Sequence, residues 1–122
     1  MSDFIHLHNH SDFSLQDAAQ SVQMLCDRCD DLKMDSIALT EHGNLFSMIP
    51  FYKAARKQGL KPILGCEMYI SIGKHTDKKQ IATSTGKKWG YNHLVLLVQN
   101  KIGYNNLMKL VSIGYLEGFY YR

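Results

Sequence analysis

Histidines stand at every second position between residues 6 and 10, as His6, His8 and His10. Side chains two residues apart on a strand point to the same face, so this spacing predicts a strand that carries three imidazoles on one face. Imidazole suits zinc, manganese and iron, and two histidines separated by one residue can approach one ion. His8 and His10 are therefore the first candidates for metal binding.

Further polar residues follow or border predicted strands. Glu41 and His42 come directly after an apolar run at 36–40, and Glu67 begins one of two strand candidates, 61–65 and 67–72. In parallel α/β folds, functional groups gather at the carboxyl ends of strands, so we expect these side chains near His10 at one rim. His93 instead begins its strand candidate, 93–99, and does not fit this rule.

Two amphipathic helices are predicted between these strands. Ser21 can cap a helix that extends to about residue 34, because its side-chain oxygen can accept from an unpaired amide. A second helix covers 45–55; Pro50 is expected to kink or split it, and Gly59 to end it. Apolar periodicity from residue 107 predicts a last helix.

The chain contains a C-x-x-C motif, Cys26 and Cys29, which is a spacing known from zinc and redox sites. Both cysteines fall on the apolar face of the first predicted helix, where cysteine behaves as a small hydrophobic residue. Core packing is the favoured interpretation, and a zinc or redox site is the alternative.

The segment 73–90 is polar, lacks apolar periodicity and is rich in lysine, so it predicts a long exposed loop. A solvated surface is favoured over a contact with nucleic acid. The formal net charge of +3 also does not indicate a dedicated nucleic-acid clamp. No apolar run reaches the ~20 residues of a membrane span and no signal peptide is recognisable, so we expect a cytoplasmic protein without membrane contact.

Strands alternating with helices predict an α/β fold with parallel strands and helices packed outside, as in a barrel or an open sheet. A complete barrel needs about 250 residues. The 122 residues are therefore expected to form one incomplete domain, 1–122, with about half of the strands. Open strand edges and an exposed apolar seam predict self-association or marginal stability.

Five short motifs occur in a characteristic order: His6-Leu7-His8-Asn9-His10-Ser11, Ser14-Leu15-Gln16-Asp17, Thr40-Glu41-His42-Gly43-Asn44, Gly65-Cys66-Glu67 and Tyr91-Asn92-His93-Leu94. Together they resemble the polymerase and histidinol phosphatase (PHP) domain, in the version at the N-terminus of bacterial DNA polymerase III alpha subunits. This resemblance implies part of a distorted β/α barrel that binds up to three divalent ions, of zinc, manganese or iron, at one rim.

The resemblance assigns six metal ligands: His8, His10, Asp17, His42, Glu67 and His93. The first two histidines and Glu67 would bind one ion, Glu67 would bridge to a second ion with His93, and Asp17 with His42 would bind a third. His6 is either a ligand or a residue that supports one. Glu41 stands where this branch usually has aspartate, and is likewise a possible ligand or supporting residue.

Clustered divalent ions lower the pKa of water and neutralise phosphodiester oxygens, so the resemblance implies phosphoesterase chemistry, including 3′–5′ exonuclease activity in some members. The polymerase active site, which uses magnesium, lies outside this chain, so these residues alone are not expected to polymerise DNA. DNA, an exonuclease subunit and other replisome subunits are the implied partners. The alternatives are a free-standing phosphatase of the histidinol phosphatase type and a metal-free platform for the exonuclease subunit.

Overall fold

The fold is described by a computed structural model for residues 4–77 and 91–119. A short 3₁₀ helix, Asp12–Ser14, precedes the main elements. These are α1 (Val22–Asp31), β1 (Ser36–His42), α2 (Met48–Lys57), β2 (Lys61–Ser71), β3 (Tyr91–Leu97) and α3 (Lys101–Ile113), followed by a π-helical turn, Gly114–Gly118. The predicted α/β class is confirmed. The two strand candidates at 61–65 and 67–72 form one continuous strand, β2.

The three strands form one sheet in the order β1-β2-β3. β1 and β2 run parallel, and His42, the last residue of β1, lies opposite Glu67. β3 runs antiparallel to β2, with His93 opposite Tyr69, so the prediction of parallel pairing is wrong for this strand. Parallel pairing requires a crossover, usually a helix, and the sequence between β2 and β3 has no helical pattern. The reversal places the beginning of β3 beside the end of β2.

The histidine segment at the start of the chain is not a strand, contrary to the prediction, and it bends at His8. Two amides of β1 donate to this segment, from Ala38 to the carbonyl of His6 and from Thr40 to the carbonyl of Asn9. The donors are two residues apart, whereas the acceptors are three apart. The histidine segment therefore has one residue more than β1 between the two hydrogen bonds. This extra residue interrupts regular strand pairing, so the alternation that predicted His6 and His8 on one face does not hold.

Helices α1 and α2 both end in a Schellman motif, in which a left-handed residue follows the helix and the next amide donates back to a carbonyl of the last turn. In α1 the left-handed residue is Lys33 (φ 53°), and the helix therefore ends at Asp31 and not near residue 34. In α2 it is Gly59 (φ 77°), as predicted. Pro50 neither kinks nor splits α2, because it lies in the first turn, where amides have no intrahelical acceptor.

The hydrophobic core lies between α1, α2 and the sheet, and α1 begins at the predicted cap, Ser21, whose side chain accepts from the amide of Met24. Cys26 and Cys29 are buried in this core as free thiols, which confirms that they pack as hydrophobic residues. Its members are Val22, Leu25, Cys26, Cys29, Met34, Ile37, Leu39, Met48, Phe51, Ala55 and Leu60.

Several apolar side chains of β3 and α3 are exposed. Leu94 and Leu97 on β3 and Ile102, Leu110 and Ile113 on α3 are exposed, so self-association stays a prediction. No helix within 4–77 or 91–119 is long and apolar enough to cross a membrane. The predicted loop 73–90 contains neither helix nor strand over residues 73–77, and its remainder, with Lys78, Lys79, Lys87 and Lys88, lies outside the described residues.

Candidate metal centre

Glu67 on β2 is the centre of the site, because three imidazoles surround its carboxylate. His8 Nε2 lies 2.7 Å and His10 Nε2 lies 3.0 Å from Oε2, while His93 Nδ1 lies 2.5 Å from Oε1. Only 7% of Glu67 is exposed. The three histidines come from two segments that are far apart in sequence, and the sheet brings both to the same carboxylate.

The charge state of Glu67 follows from two opposing effects. Burial raises the pKa of this carboxyl group, but hydrogen bonds from His8 and His93, together with their charges, lower it, and the net pKa is below the ordinary value. Glu67 is therefore ionised at neutral pH. An ionised carboxylate faced by several imidazoles is an arrangement suited to a divalent cation.

His42 and Asp17 extend the site to the neighbouring strand, β1. His42 Nδ1 lies 3.3 Å from Asp17 Oδ2, and the imidazole packs against those of His10 and His93. The ligand atoms of His42, Glu67 and His93 all lie within 4.8 Å of one another, as do those of His8, His10 and Glu67. All six residues predicted as ligands therefore meet in one place.

Asn9 and Thr40 hold the histidine segment against β1. The Thr40 hydroxyl donates to the carbonyl of Asn9 at 3.0 Å and accepts from its amide at 3.1 Å. The Asn9 side-chain amide donates to the carbonyls of His6 and Ala38. These bonds fix the backbone on both sides of His8, which positions its ring toward Glu67.

His6 and Glu41 were each predicted to be either a metal ligand or a residue that supports one, and the structure places them differently. His6 is exposed, packs its ring against Phe4, and belongs to neither of the two ligand groups found in the described residues. Glu41 is fully buried and accepts hydrogen bonds from serines instead of joining a ligand group. Glu41 therefore lies in the interior next to His42 and contacts residues that neighbour the candidate ligands.

Tyr69 is a site residue that sequence reasoning missed. Its hydroxyl contacts His42 Nε2, and its ring packs edge-on against those of His42, Tyr91 and His93. Burial raises the pKa of Tyr69, so its hydroxyl keeps its proton at neutral pH. The signal was available, because Tyr69 lies two residues after Glu67 on β2 and must therefore share its face.

The donor set fits a divalent metal. It combines imidazole nitrogens with carboxylates, as zinc, manganese and iron prefer, and their ligand atoms converge from separate segments onto a small volume. In addition, the buried Nδ1 atom of His10 has no hydrogen-bond partner among the described residues. Buried polar atoms are nearly always satisfied, so this nitrogen is an exception, while Nε2 of the same ring faces Glu67.

Comparisons with known proteins show the family of the chain. A family model described as PHP domain matches residues 6–122. Among curated relatives named DNA polymerase III subunit alpha, the protein of Borreliella burgdorferi is 51% identical over 99% of this chain and that of Aquifex aeolicus 40% over 98%. The Helicobacter pylori protein is 44% identical over 97%. The chain spans about a tenth of the length of these relatives.

Among solved structures, an amidohydrolase from Chromobacterium violaceum, with bound sulfate and no metal, superposes with a TM-score of 0.58. It is 24% identical, and the match covers 93% of this chain and 34% of the amidohydrolase. This likeness concerns the fold alone, and it confirms the predicted partial β/α barrel, with β3 as the antiparallel exception. With the family model covering nearly the whole chain, the chain belongs to the PHP domain family.

Proposed function

We propose that this chain is the PHP part of a bacterial DNA polymerase III alpha subunit, and that its site binds divalent metal ions and hydrolyses phosphodiesters at the 3′ ends of DNA. The relatives at 40–51% identity carry that subunit's name, which supports the first half of the proposal. The second half rests on one observation: the Glu67 carboxylate is shared by three imidazoles, with Asp17 and His42 beside it.

The six residues would hold the ions in adjacent groups. His8, His10 and Glu67 form one group, Glu67 bridges to His93 and His42 in the second, and Asp17 faces His42 from the other side. Metal ions held there would activate water and neutralise the charge of a phosphodiester. Zinc, manganese and iron all fit such ligands.

The chain's own residues orient these groups. The Asp17 carboxylate lies 3.3 Å from Nδ1 of His42, and the Tyr69 hydroxyl contacts Nε2 of the same ring. These two contacts fix the plane of the imidazole relative to Glu67 and His93. Metal binding through one ring nitrogen would replace one of these contacts, and the other would continue to orient the ring.

In this proposal the full-length subunit contacts DNA, an exonuclease subunit and other replisome subunits in the cytoplasm. Residues 1–122 contribute one incomplete domain to it. The nucleotidyl-transfer site, with its magnesium, belongs to the remainder of the subunit, so these residues alone would not extend a primer.

The test compares the chain with a variant that carries both His8→Ala and His10→Ala. Metal content is measured by plasma mass spectrometry, and hydrolysis is measured on 3′-labelled single-stranded DNA and on histidinol phosphate. We expect stoichiometric metal in the wild type, its loss in the variant, and release of nucleotides from DNA. Hydrolysis of histidinol phosphate alone would favour a phosphatase, and absence of metal would contradict the proposed centre and favour a metal-free platform. Bound metal without hydrolysis of either substrate would contradict the hydrolytic part of the proposal.

A further inference from the structure

Glu41 is a fully buried carboxylate beside the site, at 0% exposure. It is next in sequence to His42, yet it makes no ion pair with any described residue. A buried carboxylate without a cationic partner is costly unless hydrogen bonds replace its hydration. The donors of these hydrogen bonds therefore indicate what Glu41 does in the structure.

Three serines supply them, and we call Ser11, Ser14 and Ser47 the serine cage. Oε2 of Glu41 accepts from the amide of Ser11 at 3.2 Å and from the hydroxyl of Ser14 at 2.5 Å. Oε1 accepts from the hydroxyl of Ser11 and, at 2.8 Å, from that of Ser47. Each oxygen thus accepts two hydrogen bonds, which leaves Glu41 unsuited to bind a metal itself.

Two members of the serine cage are tied to candidate ligands. Ser11 follows His10 directly. The hydroxyl of Ser14 accepts from the amide of His42 at 2.9 Å, and the carbonyl of Ser14 accepts from the amide of Asp17 at 2.8 Å. The Glu41 carboxylate therefore connects the backbones of three ligands that come from two segments.

Ser47 differs from these two serines. It lies just before α2, its side-chain hydroxyl donates to Glu41, and it is not adjacent to any candidate ligand. Ser14 and Ser47 thus donate to the same carboxylate, and both are buried, but only Ser14 also contacts the metal site. This contrast provides a matched pair of variants.

We propose that Glu41 is a positioning residue: through the serine cage it fixes the backbone that presents His10, Asp17 and His42 to the metal ions. This inference rests on the proposed metal-binding function and adds a residue to it that touches no ion. Residues behind metal ligands orient them, and their loss weakens metal affinity about 10–100-fold. In Glu41→Gln, an amide nitrogen replaces one acceptor oxygen, so two of the four donors lose their acceptor.

The test titrates cobalt(II) into the wild type, Glu41→Gln, Ser14→Ala and Ser47→Ala, and follows the visible absorption of the bound ion together with thermal stability. We expect Glu41→Gln and Ser14→Ala to weaken cobalt binding about tenfold or more, and Ser47→Ala by less than about threefold, while the two serine variants melt at similar temperatures. A Ser47→Ala variant as defective as Ser14→Ala would overturn the inference, because the effect would then follow stability alone. Should Glu41→Gln fail to fold, the comparison of Ser14→Ala with Ser47→Ala still tests whether the serine cage positions the candidate ligands.

A second measurement separates this inference from the proposed function. Amide hydrogen exchange at His42, measured by NMR without metal, is expected to be faster in Glu41→Gln and in Ser14→Ala than in Ser47→Ala, because Glu41 holds the Ser14 hydroxyl that accepts from this amide. Exchange in Glu41→Gln as slow as in Ser47→Ala would contradict the positioning role. A wild-type chain that binds no cobalt would contradict the proposed function, and the exchange rates would still decide the role of Glu41.

Discussion

The contact between His93 and Glu67 runs diagonally across the antiparallel pair of β2 and β3. Glu67 is opposite Val95, and His93 is opposite Tyr69, yet His93 Nδ1 lies 2.5 Å from Glu67 Oε1. Diagonal neighbours on one face of a sheet are within reach when a side chain is long. The reversed direction of β3 is thus what makes His93 part of the site.

Glu67 is the one residue shared by both ligand groups, so its replacement is expected to abolish both. Glu67→Gln keeps the size of the side chain but removes the charge, and we expect at least about 100-fold weaker binding of every ion. Isothermal titration with zinc or manganese measures this. Glu117→Gln, which changes an exposed carboxylate paired with His75, is the control and should bind as the wild type does. If Glu67→Gln still bound either ion, Glu67 would not be a ligand shared by both groups.

The ligand groups can also be separated. His8 belongs only to the first group and His93 only to the second. We expect His8→Ala and His93→Ala each to lose one of two bound cobalt ions, with different residual absorption spectra. Identical spectra from the two variants would mean that the groups act as a single site.

Phe51 and Phe46 form a matched pair for the stability of the core. Phe51 is fully buried in the core between α1 and α2, whereas Phe46 is 68% exposed. We expect Phe51→Ala to lower the free energy of unfolding by about 3–5 kcal/mol, through lost burial and a cavity. Phe46→Ala should change it by less than about 0.5 kcal/mol. Urea denaturation followed by circular dichroism measures both changes. Similar unfolding midpoints for the two variants would contradict the burial of Phe51 in the core.

Gly65 is required where β2 passes between its two neighbours. A Cβ at this position would lie 2.6 Å from the carbonyl oxygen of Leu96 and 2.8 Å from Cγ2 of Thr40. We expect Gly65→Ala to destabilise the chain by about 1–3 kcal/mol, because backbone must move. At Gly114 a Cβ would meet nothing within 4 Å, so Gly114→Ala should be neutral or stabilising. In thermal melts, Gly65→Ala should therefore lower the melting temperature, whereas Gly114→Ala should leave it unchanged or raise it.

The buried cysteines predict a pH dependence. Burial, with the neighbouring Cys29 and Asp27, raises the pKa of Cys26 to about 11, and burial raises that of Cys29. The unfolded thiols lose protons around the ordinary thiol pKa of 9.0, whereas the folded thiols keep theirs, so the free energy of unfolding falls as the pH rises from 9 toward 11. Guanidinium melts across this range measure the decline.

The same shift makes these thiols unreactive, because the thiolate is the nucleophile. At pH 8 we expect slow alkylation of the native chain and fast alkylation in urea. A Ser112→Cys variant, whose new thiol would be exposed, supplies the rate for an accessible cysteine. Native labelling as fast as at residue 112 would contradict the burial of Cys26 and Cys29.

Local signals were enough for much of the fold. The cap at Ser21, the glycine after α2 and the apolar run that became β1 each act within a few residues, and the structure has all three. The end of α1 was missed because it depends on Lys33, a residue that seldom adopts a left-handed conformation. Sequence periodicity does not report such a stop.

Pairing partners were harder to predict, because a strand's own pattern does not fix its direction. Alternation predicted a strand through His6, His8 and His10, but one extra residue against β1 breaks the ladder. The family resemblance named the six candidate ligands, and the structure brings these residues together. The roles of Tyr69 and Glu41 depend on contacts between strands and loops, which spacing along the chain does not show.

The site joins residues from nearly the whole chain, since Glu67 contacts both His8 and His93. An ion bound there would connect the first segment of the chain to the last strand, so a chelator would loosen the attachment of the two without removing the hydrophobic core. The order of synthesis adds a second consequence. The ribosome makes His8 and His10 early, but the second group is incomplete until His93 has left the exit tunnel. Full metal loading therefore has to follow the synthesis of β3, and the metal content of nascent chains would report how far the sheet has formed.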